Sequence, residues 1–188
     1  MKNFSLMQLP WWPEAFADIL AEIKYNDILW DIDRRRQSSN RKLMNTCAII
    51  MRHRADEIFP DHETADDMLE TVDTPLVNPF PKTMSHLKRV AVELNAKLGR
   101  AFFERLFPSA VVYPYAHLGT YYEKYQRFYV AMESPLGTCM RSGNEEVLMK
   151  PGELWWVNTR EKHDTDNRSG DKSATHLIFD LQLGTARQ

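Results

Sequence analysis

Residues 113–129 read Tyr-Pro-Tyr-Ala-His-Leu-Gly-Thr-Tyr-Tyr-Glu-Lys-Tyr-Gln-Arg-Phe-Tyr, and this polar, aromatic run joins two segments that favour β-strands. The two segments, residues 110–115 and 126–133, are rich in β-branched and aromatic side chains. Two more segments of this type follow, at residues 153–157 and 175–183. Short strands separated by clear turn signals predict a β-sandwich or a sheet that closes on itself.

The segments around these four strands extend the same pattern. Residues 101–107 and 146–149 also read as strands, and proline, serine and glycine mark the turns between them. Residues 146–156 are predicted to form a hairpin about Pro151-Gly152, as in jelly-roll cores. Residues 100–188 are therefore expected to form one β core.

The first 99 residues favour helices and irregular structure packed on that core. Pro13 can open a helix, and four apolar residues then follow at the spacing of one helical face: Phe16, Ile19, Leu20 and Ile23. A second helix is predicted over residues 82–98, with Gly99 as its C-terminal cap.

Three further features of this part are expected to support the core. Residues 44–51 read as a buried strand. The acidic, proline-bearing residues 56–81 are predicted to be a surface loop and a candidate lid. A cluster of aromatic side chains is expected to pack the first helix against the core: Trp11, Trp12, Tyr25 and Trp30.

Length and composition limit the classes of protein that fit. A chain of 188 residues fits a single domain, and a net charge of −2 gives no basic surface for nucleic acid. Cys47 and Cys139 lie far apart in no metal-binding spacing, which favours reduced thiols. The first ten residues contain no long apolar run, so we expect neither a secretion signal nor a membrane span, and a cytoplasmic location. The oligomeric state is not indicated.

Three motifs together carry a resemblance to a known family. Pro114-Tyr115-Ala116-His117-Leu118-Gly119-Thr120-Tyr121-Tyr122 stands where that family has Pro-His-x-Asp-x-Gly-x-Tyr-Tyr, and Trp156, Asn158, His163, Asn167 and Ser169 follow its later pattern. Residues 174–180 match its Arg-x-His-Leu-Ile-x-Asp except at the first position. The chain resembles the aspartyl/asparaginyl β-hydroxylases, which are cupin-like dioxygenases that use Fe(II) and 2-oxoglutarate. The resemblance implies a mainly β, α+β fold: a double-stranded β-helix (jelly roll) with N-terminal helices, in one domain over residues 1–188.

The resemblance also assigns candidate metal ligands. A non-haem iron site uses two histidines and usually one carboxylate on one face of the metal. His163 matches the family's later histidine, whereas Tyr115 replaces its first histidine and His117 its aspartate. Residues two apart on a strand face the same way, so His117 and His163 could bind a metal, with Tyr115 or a water completing the set. His176 is a fallback ligand.

The co-substrate pattern is altered as well. Ala174 replaces the arginine that holds the distal carboxylate of 2-oxoglutarate in the family. The family's Arg-x-His on the preceding strand is kept as Arg127 but changed at Tyr129. The resemblance therefore assigns co-substrate binding to Arg127, Tyr129 and Asn167. Arg141, Lys124 and Lys172 are further candidates for binding the anion.

Three functions remain open on this evidence. The first is an Fe(II)/2-oxoglutarate dioxygenase that hydroxylates an amino-acid side chain, free or in a peptide substrate. The second is a diverged, non-catalytic protein of the same fold that binds a small molecule or a protein partner at the same mouth. The third is a metal-dependent enzyme without 2-oxoglutarate, in which Asp164 or Asp166 joins His117 and His163.

Overall fold

Eleven β-strands, three α-helices and two 3₁₀ helices (Asp27–Asp31 and Pro75–Val77) form the regular structure of residues 1–32, 43–54, 70–136 and 138–184, which the computed structural model describes. The strands are short and closely spaced, as the sequence predicts. In chain order the elements are β1 (Phe4–Met7), α1 (Trp12–Tyr25), β2 (Thr46–Arg54), β3 (Thr71–Asp73), α2 (Pro81–Glu93), β4 (Ala96–Leu106), β5 (Val111–Tyr115), α3 (Thr120–Lys124), β6 (Gln126–Glu133), β7 (Thr138–Ser142), β8 (Glu145–Val147), β9 (Leu154–Val157), β10 (His163–Asn167) and β11 (Ala174–Leu183).

The strands form two antiparallel sheets that enclose an interior. The larger sheet has the order β1-β9-β6-β11-β4-β2-β3, and the smaller has the order β5-β10-β7-β8. One apolar cluster takes side chains from both sheets, including Phe102 and Ile178 from the larger and Met140 and Val147 from the smaller. The predicted jelly-roll fold, mainly β with flanking helices, is therefore confirmed.

The helices cover the outer face of the larger sheet. Trp12, Ile19 and Ile23 of α1 are buried there in the main apolar cluster, together with Leu87 of α2. Alternation along β11 sends Leu177, Phe179 and Leu181 to this outer cluster and Ile178 to the interior. His176 and Asp180 lie on the same face of β11 as Ile178, so this strand directs polar groups into the interior. Tyr25, predicted to pack with the tryptophans, is 91% exposed.

The boundary between α2 and β4 differs from the prediction. The helix ends at Glu93, and the strand begins at Ala96 and contains Gly99. Gly99 is therefore not a helix cap. A Cβ atom at this position would lie 2.6 Å from Tyr121 Oη and 2.7 Å from the ring of Tyr125. The glycine allows these two side chains to pack directly on the strand.

The predicted hairpin about Pro151-Gly152 is wrong. Strand β8 pairs with β7 in the smaller sheet, whereas β9 pairs with β6 and β1 in the larger sheet. The chain crosses between the sheets at this turn. The predictions also missed β1, β3, β7 and β10, and β10 reads His-Asp-Thr-Asp-Asn, a composition that does not favour strands.

The predicted acidic lid lies mostly outside the described residues. Residues 55–69 are not described, and the remainder forms β3 and a 3₁₀ turn at Pro75–Val77. Cys47 and Cys139 are both buried, and neither is part of a disulfide. Among the described residues, no helix has the combined length and apolar character that crossing a bilayer requires.

Candidate functional site

Four ring side chains meet where β5 ends and β10 begins, and we call them the mouth cluster: Tyr115, His117, Tyr122 and His163. Tyr115 and His163 are paired residues of β5 and β10, and their ring centres lie 4.5 Å apart. His117 follows β5, where its backbone N–H donates to Thr159 O at 2.9 Å. Its ring centre lies 5.1 Å from that of His163 and 4.9 Å from that of Tyr115. Three of the predicted site residues are therefore in contact.

His163 presents one nitrogen without a partner. Its side chain is buried, and Nδ1 lies 3.0 Å from Glu161 O, to which the ring N–H donates. The proton is thereby on Nδ1, and the buried Nε2 has no hydrogen-bond partner. Burial, with a smaller contribution from the charge of Arg127, lowers the pKa of His163 to about 4. At neutral pH the ring is uncharged and Nε2 is a lone-pair acceptor.

The ring of His117 is held on two sides. Arg127 Nη1 donates to His117 Nε2 at 2.7 Å, which places the imidazole proton on Nδ1. Tyr122 stacks on the ring at 4.2 Å with an angle of 21° between the planes. Tyr122 Oη in turn accepts a hydrogen bond from Arg100 Nη1 at 2.8 Å. The Nε2 lone pair of His117 is therefore directed at a guanidinium.

Arg127 belongs to a buried ion pair with Asp180. The residues face each other across β6 and β11, and Nε and Nη2 donate to the two carboxylate oxygens at 2.7 and 2.8 Å. The side chains are 3% and 1% exposed. Burial alone would lower the pKa of Arg127, but the carboxylate of Asp180 outweighs it and the pKa is raised. Tyr121 Oη also donates to Asp180, at 3.3 Å.

The other residues assigned to the co-substrate lie in different surroundings. Tyr129 is buried in the interior apolar cluster, with its ring 6.3 Å from that of His176. Asn167 lies at the far end of β10 from His163, where Nδ2 donates to Phe107 O at 3.0 Å and to Lys172 O at 2.9 Å. Ala174 is fully buried in a small apolar cluster. Co-substrate binding by Tyr129 and Asn167 stays a prediction.

The acidic residues of the third hypothesis lie on the other face of β10. Alternation from the buried His163 turns Asp164 and Asp166 outward. There Arg141 donates to Asp164 at 2.6 Å and to Asp166 at 3.3 Å. Arg141 also pairs with Glu146 at 2.8 Å. These groups form an ion-pair network on the outer face of the smaller sheet, so neither the carboxylates nor Arg141 joins the mouth cluster.

The residues present do not fit an iron centre of the family's type. Across the residues with described positions, no group of three His, Cys, Asp or Glu side chains is arranged to hold a metal ion. Tyr115 supplies a phenol where the resemblance expects an imidazole, and His117 supplies an imidazole whose Nε2 accepts from Arg127. That nitrogen is therefore already engaged and is not directed at a shared metal position. The orphaned Nε2 of His163 is the feature that matches a metal ligand.

Sequence reasoning missed two residues of this site, Asp180 and Tyr122. A carboxylate on the interior face of β11 needs a counter-ion, and this requirement could have identified Asp180 from the sequence. However, its position opposite Arg127 depends on the pairing register of β6 and β11, which the sequence does not give. Tyr122 belongs to the quoted motif, but its stacking on His117 depends on the short helix α3.

Comparisons with solved structures support the fold. The chain is similar to a prolyl-4-hydroxylase from Pseudomonas putida, with 10% identity, a TM-score of 0.52 and coverage of 97% of this chain and 93% of that one. It is also similar to the viral collagen prolyl hydroxylase vCPH from Paramecium bursaria Chlorella virus-1, solved as a 2OG complex, with 10% identity, a TM-score of 0.51 and 97% coverage of both chains. HygX from Streptomyces hygroscopicus, solved with nickel, 2-oxoglutarate and hygromycin B, gives 10% identity, a TM-score of 0.50 and coverage of 96% and 83%. At these identities the likeness concerns the fold alone.

Sequence comparison identifies the family. No curated protein matches the chain. The sequence profile described as aspartyl/asparaginyl beta-hydroxylase matches residues 68–183, a segment that begins before β3 and contains the complete mouth cluster together with Arg127 and Asp180. This match covers more than half of the chain, and it agrees with both the motifs and the jelly-roll fold. The chain belongs to the aspartyl/asparaginyl β-hydroxylase family.

Proposed function

We propose that this protein is a catalytically diverged member of its family that binds a small molecule or a peptide segment at the mouth cluster. One observation carries the proposal: His117 Nε2 accepts a hydrogen bond from Arg127 at 2.7 Å, while Tyr115 stands in the place of the first histidine. The two positions that would supply iron ligands in the family thus supply a phenol and an imidazole engaged with a cation. At the third position, the Nε2 lone pair of His163 accepts no hydrogen bond.

The site favours a ligand that donates a hydrogen bond. His163 Nε2 is a neutral acceptor beneath a partly exposed rim formed by Tyr115, His117 and Tyr122. The charges of Arg127 and Asp180 offset each other, so this pair adds little attraction for a dicarboxylate such as 2-oxoglutarate. An N–H or O–H group at the end of a planar or apolar side chain matches both the acceptor and the aromatic rim. Free amino acids, their amides and short peptides are the ligand classes to test.

A second candidate function is the family's hydroxylation reaction with Fe(II) and 2-oxoglutarate. The observation that favours it is the unpartnered Nε2 of His163, which is buried and uncharged as a metal ligand must be. Arg127 would then have to leave His117 before that ring could join the site. The substrate would be an amino-acid side chain, free or in a peptide.

An anaerobic titration separates the two functions. Metal-free protein is titrated with Fe(II) and then with 2-oxoglutarate, with binding followed by calorimetry and visible absorbance. The binding function predicts no tight uptake of iron and no new charge-transfer band. Tight uptake together with that band would refute the proposal and establish the hydroxylase site.

The binding function also makes a positive prediction. Titration with panels of amino acids, amino-acid amides and short peptides should shift the ¹⁵N resonance of His163 Nε2 for some members. The same ligands should lose at least tenfold in affinity for a His163→Ala variant, because the acceptor is gone. An exposed substitution on the far side of the molecule, Glu14→Ala, serves as the matched control. If His163→Ala bound every such ligand as tightly as the native protein, the assigned acceptor would be wrong.

A further inference from the structure

Two cavities adjoin at the end of the larger sheet that lies opposite the mouth cluster, and we call them together the distal groove. The first, of about 220 Å³, lies between the end of α1 and the outer face of the sheet, and the second, of about 340 Å³, lies beside the turn after β6. Arg105 of β4 and Glu133 of β6 line both cavities and so join them. We infer that the distal groove binds a small zwitterion of the α-amino acid type.

The distal groove is separate from the mouth cluster. Glu133 ends β6, whereas Arg127, which contacts the mouth cluster, lies near the start of the same strand. At about 3.3 Å per residue, the two residues stand roughly 20 Å apart. Thr175 and Asp180 are separated in the same way on β11, because Thr175 faces Glu133 and Asp180 faces Arg127. The inference therefore goes beyond the proposed function and concerns a different site.

The floor of the distal groove is apolar. Ile23 of α1 and Met132 of β6 line the first cavity and are 4% and 2% exposed. An aliphatic part of a ligand that contacts these side chains would be removed from water, which favours binding. The floor therefore favours an organic ligand with a hydrocarbon side chain over a bare inorganic ion.

The walls provide cationic groups for a carboxylate. Arg105 Nη2 donates to Asp27 Oδ1 at 2.7 Å, and the guanidinium carbon lies 4.2 Å from the centre of the Trp30 ring, so this side chain is fixed. Its buried Nε has no hydrogen-bond partner. Lys172, a candidate for the co-substrate anion by sequence, lines the second cavity, and its ammonium group makes no ion pair with any described residue. Both cations complement a carboxylate.

The same groove presents a carboxylate for an ammonium group. Glu133 is exposed, and its Oε2 accepts a hydrogen bond from Thr175 Oγ1 at 3.1 Å. Thr175 is 1% exposed, so this bond fixes the carboxylate at the edge of the buried floor. No cationic side chain in the described part of the chain pairs with Glu133. A dianion such as phosphate would be repelled by it, whereas a zwitterion complements both signs of charge.

The test is an NMR titration of ¹⁵N-labelled protein with L-leucine at millimolar concentration. Backbone amide resonances of the distal groove, those of Lys24, Ser173 and Thr175, should shift with one common affinity. Isoamylamine lacks the carboxylate of leucine, and isocaproic acid lacks its ammonium group. Each should bind at least tenfold more weakly, because one charged wall of the groove is then left without a partner. Inorganic phosphate should cause no saturable shift of these resonances.

Two variants that remove one charge each identify the wall that binds each group. Glu133→Gln keeps an acceptor for Thr175, and it should weaken leucine binding at least fivefold without weakening isocaproate. Lys172→Met should weaken leucine and isocaproate by a similar factor. Both side chains are exposed, so the fold should tolerate these changes. Glu14→Gln and Lys88→Met, at exposed positions outside the groove, are the matched controls and should leave the affinity for leucine within about twofold.

The outcomes separate this inference from the proposed function. It would be overturned if leucine gave no saturable shift in the distal groove, or shifts only at His117 and His163. Equal affinities for leucine, isocaproate and phosphate would make the groove a simple anion site and would also overturn it, as would native affinity for leucine in Glu133→Gln. Groove shifts that persist in His163→Ala would support the inference, whether or not the mouth cluster binds a ligand.

Discussion

At the scale of single residues, the two imidazoles of the mouth cluster differ in the partners of their Nε2 atoms. His117 and His163 both carry their proton on Nδ1, but His117 Nε2 accepts from a cation and His163 Nε2 has no partner. The sequence allowed His117, His163 and Tyr115 to be grouped correctly, because motif spacing places them at adjoining strand ends. It did not reveal the state of each lone pair, since that depends on Arg127 reaching across from β6.

The buried histidines predict a pH dependence of stability. Burial lowers the pKa of both His163 and His176 to about 4, compared with about 6.5 in the unfolded chain. The unfolded state therefore binds more protons between these values, and the free energy of unfolding falls as the pH drops from 6.5 towards 4. Each histidine should remove about 2 kcal/mol between pH 7.5 and pH 5.

Urea denaturation across this pH range checks that prediction. His163→Gln should reduce the loss between pH 7.5 and pH 5 by the share of one histidine. An unchanged pH dependence in this variant would mean that His163 is not held neutral by burial.

At the scale of elements, β10 has two ends with different tasks. His163 begins the strand in the mouth cluster. Asn167 ends it, and its side-chain amide makes hydrogen bonds to Thr138 of β7, to the residue after β4 and to the segment before β11. The family motif marks both residues equally, so sequence reasoning gave both a binding role. Only the pairing of β10 with β5 and β7 separates the end that lies in the mouth cluster from the end that connects the strands.

Replacement of Asn167 should therefore destabilise the fold. Asn167→Leu removes donors to two part-buried carbonyls, those of Phe107 and Lys172, and the buried acceptor for Thr138 Oγ1 at 3.2 Å. The expected loss in the free energy of unfolding is about 2–4 kcal/mol, measured by urea denaturation. Asn144→Ala, at an exposed turn, is the control and should change it by less than about 0.5 kcal/mol. A loss of ligand affinity with unchanged stability would instead favour the predicted binding role.

The close approach at Gly99 gives a second element-scale prediction. Gly99→Ala would place a methyl group 2.6 Å from Tyr121 Oη, inside a packed contact between β4 and α3. We expect a loss of about 1–3 kcal/mol in the free energy of unfolding, because neither tyrosine has space to retreat. The exposed Gly170, whose added Cβ would meet nothing within 4 Å, provides the control Gly170→Ala. Equal stability of both variants would show that the Gly99 contact is not tight.

At the scale of the whole molecule, the jelly roll is the part that the sequence predicted best. The apolar and aromatic runs of β4, β6 and β11 and the turn signals between them depend on local composition, which a single sequence contains. The polar strand β10 and the crossover between β8 and β9 were missed because long-range pairing decides them. The same holds for the site. The sequence indicated which residues belong to it, but it did not indicate which of them pair with each other.

The lack of a fitting group of three metal ligands among the described residues predicts that metals leave the stability of the fold unchanged. A metal that binds the native state raises the melting temperature by mass action, and removal of a bound metal lowers it. We expect Tm to agree within about 1 °C in the presence of a chelator, of Fe(II) under anaerobic conditions and of Co(II). A rise of several degrees with either metal would contradict this expectation.

The position of β1 has a consequence for how the protein is made. Residues Phe4–Met7 pair with β9, and Asn3 Nδ2 donates to Ser142 O, 139 residues later in the chain. During synthesis, β1 thus has no partner strand until residues 154–157 have emerged as well. At about 5–20 residues per second, it waits on the order of ten seconds with its edge unpaired. This edge is where a nascent chain of this protein would need protection by a chaperone, and where translation speed would influence the yield of folded protein.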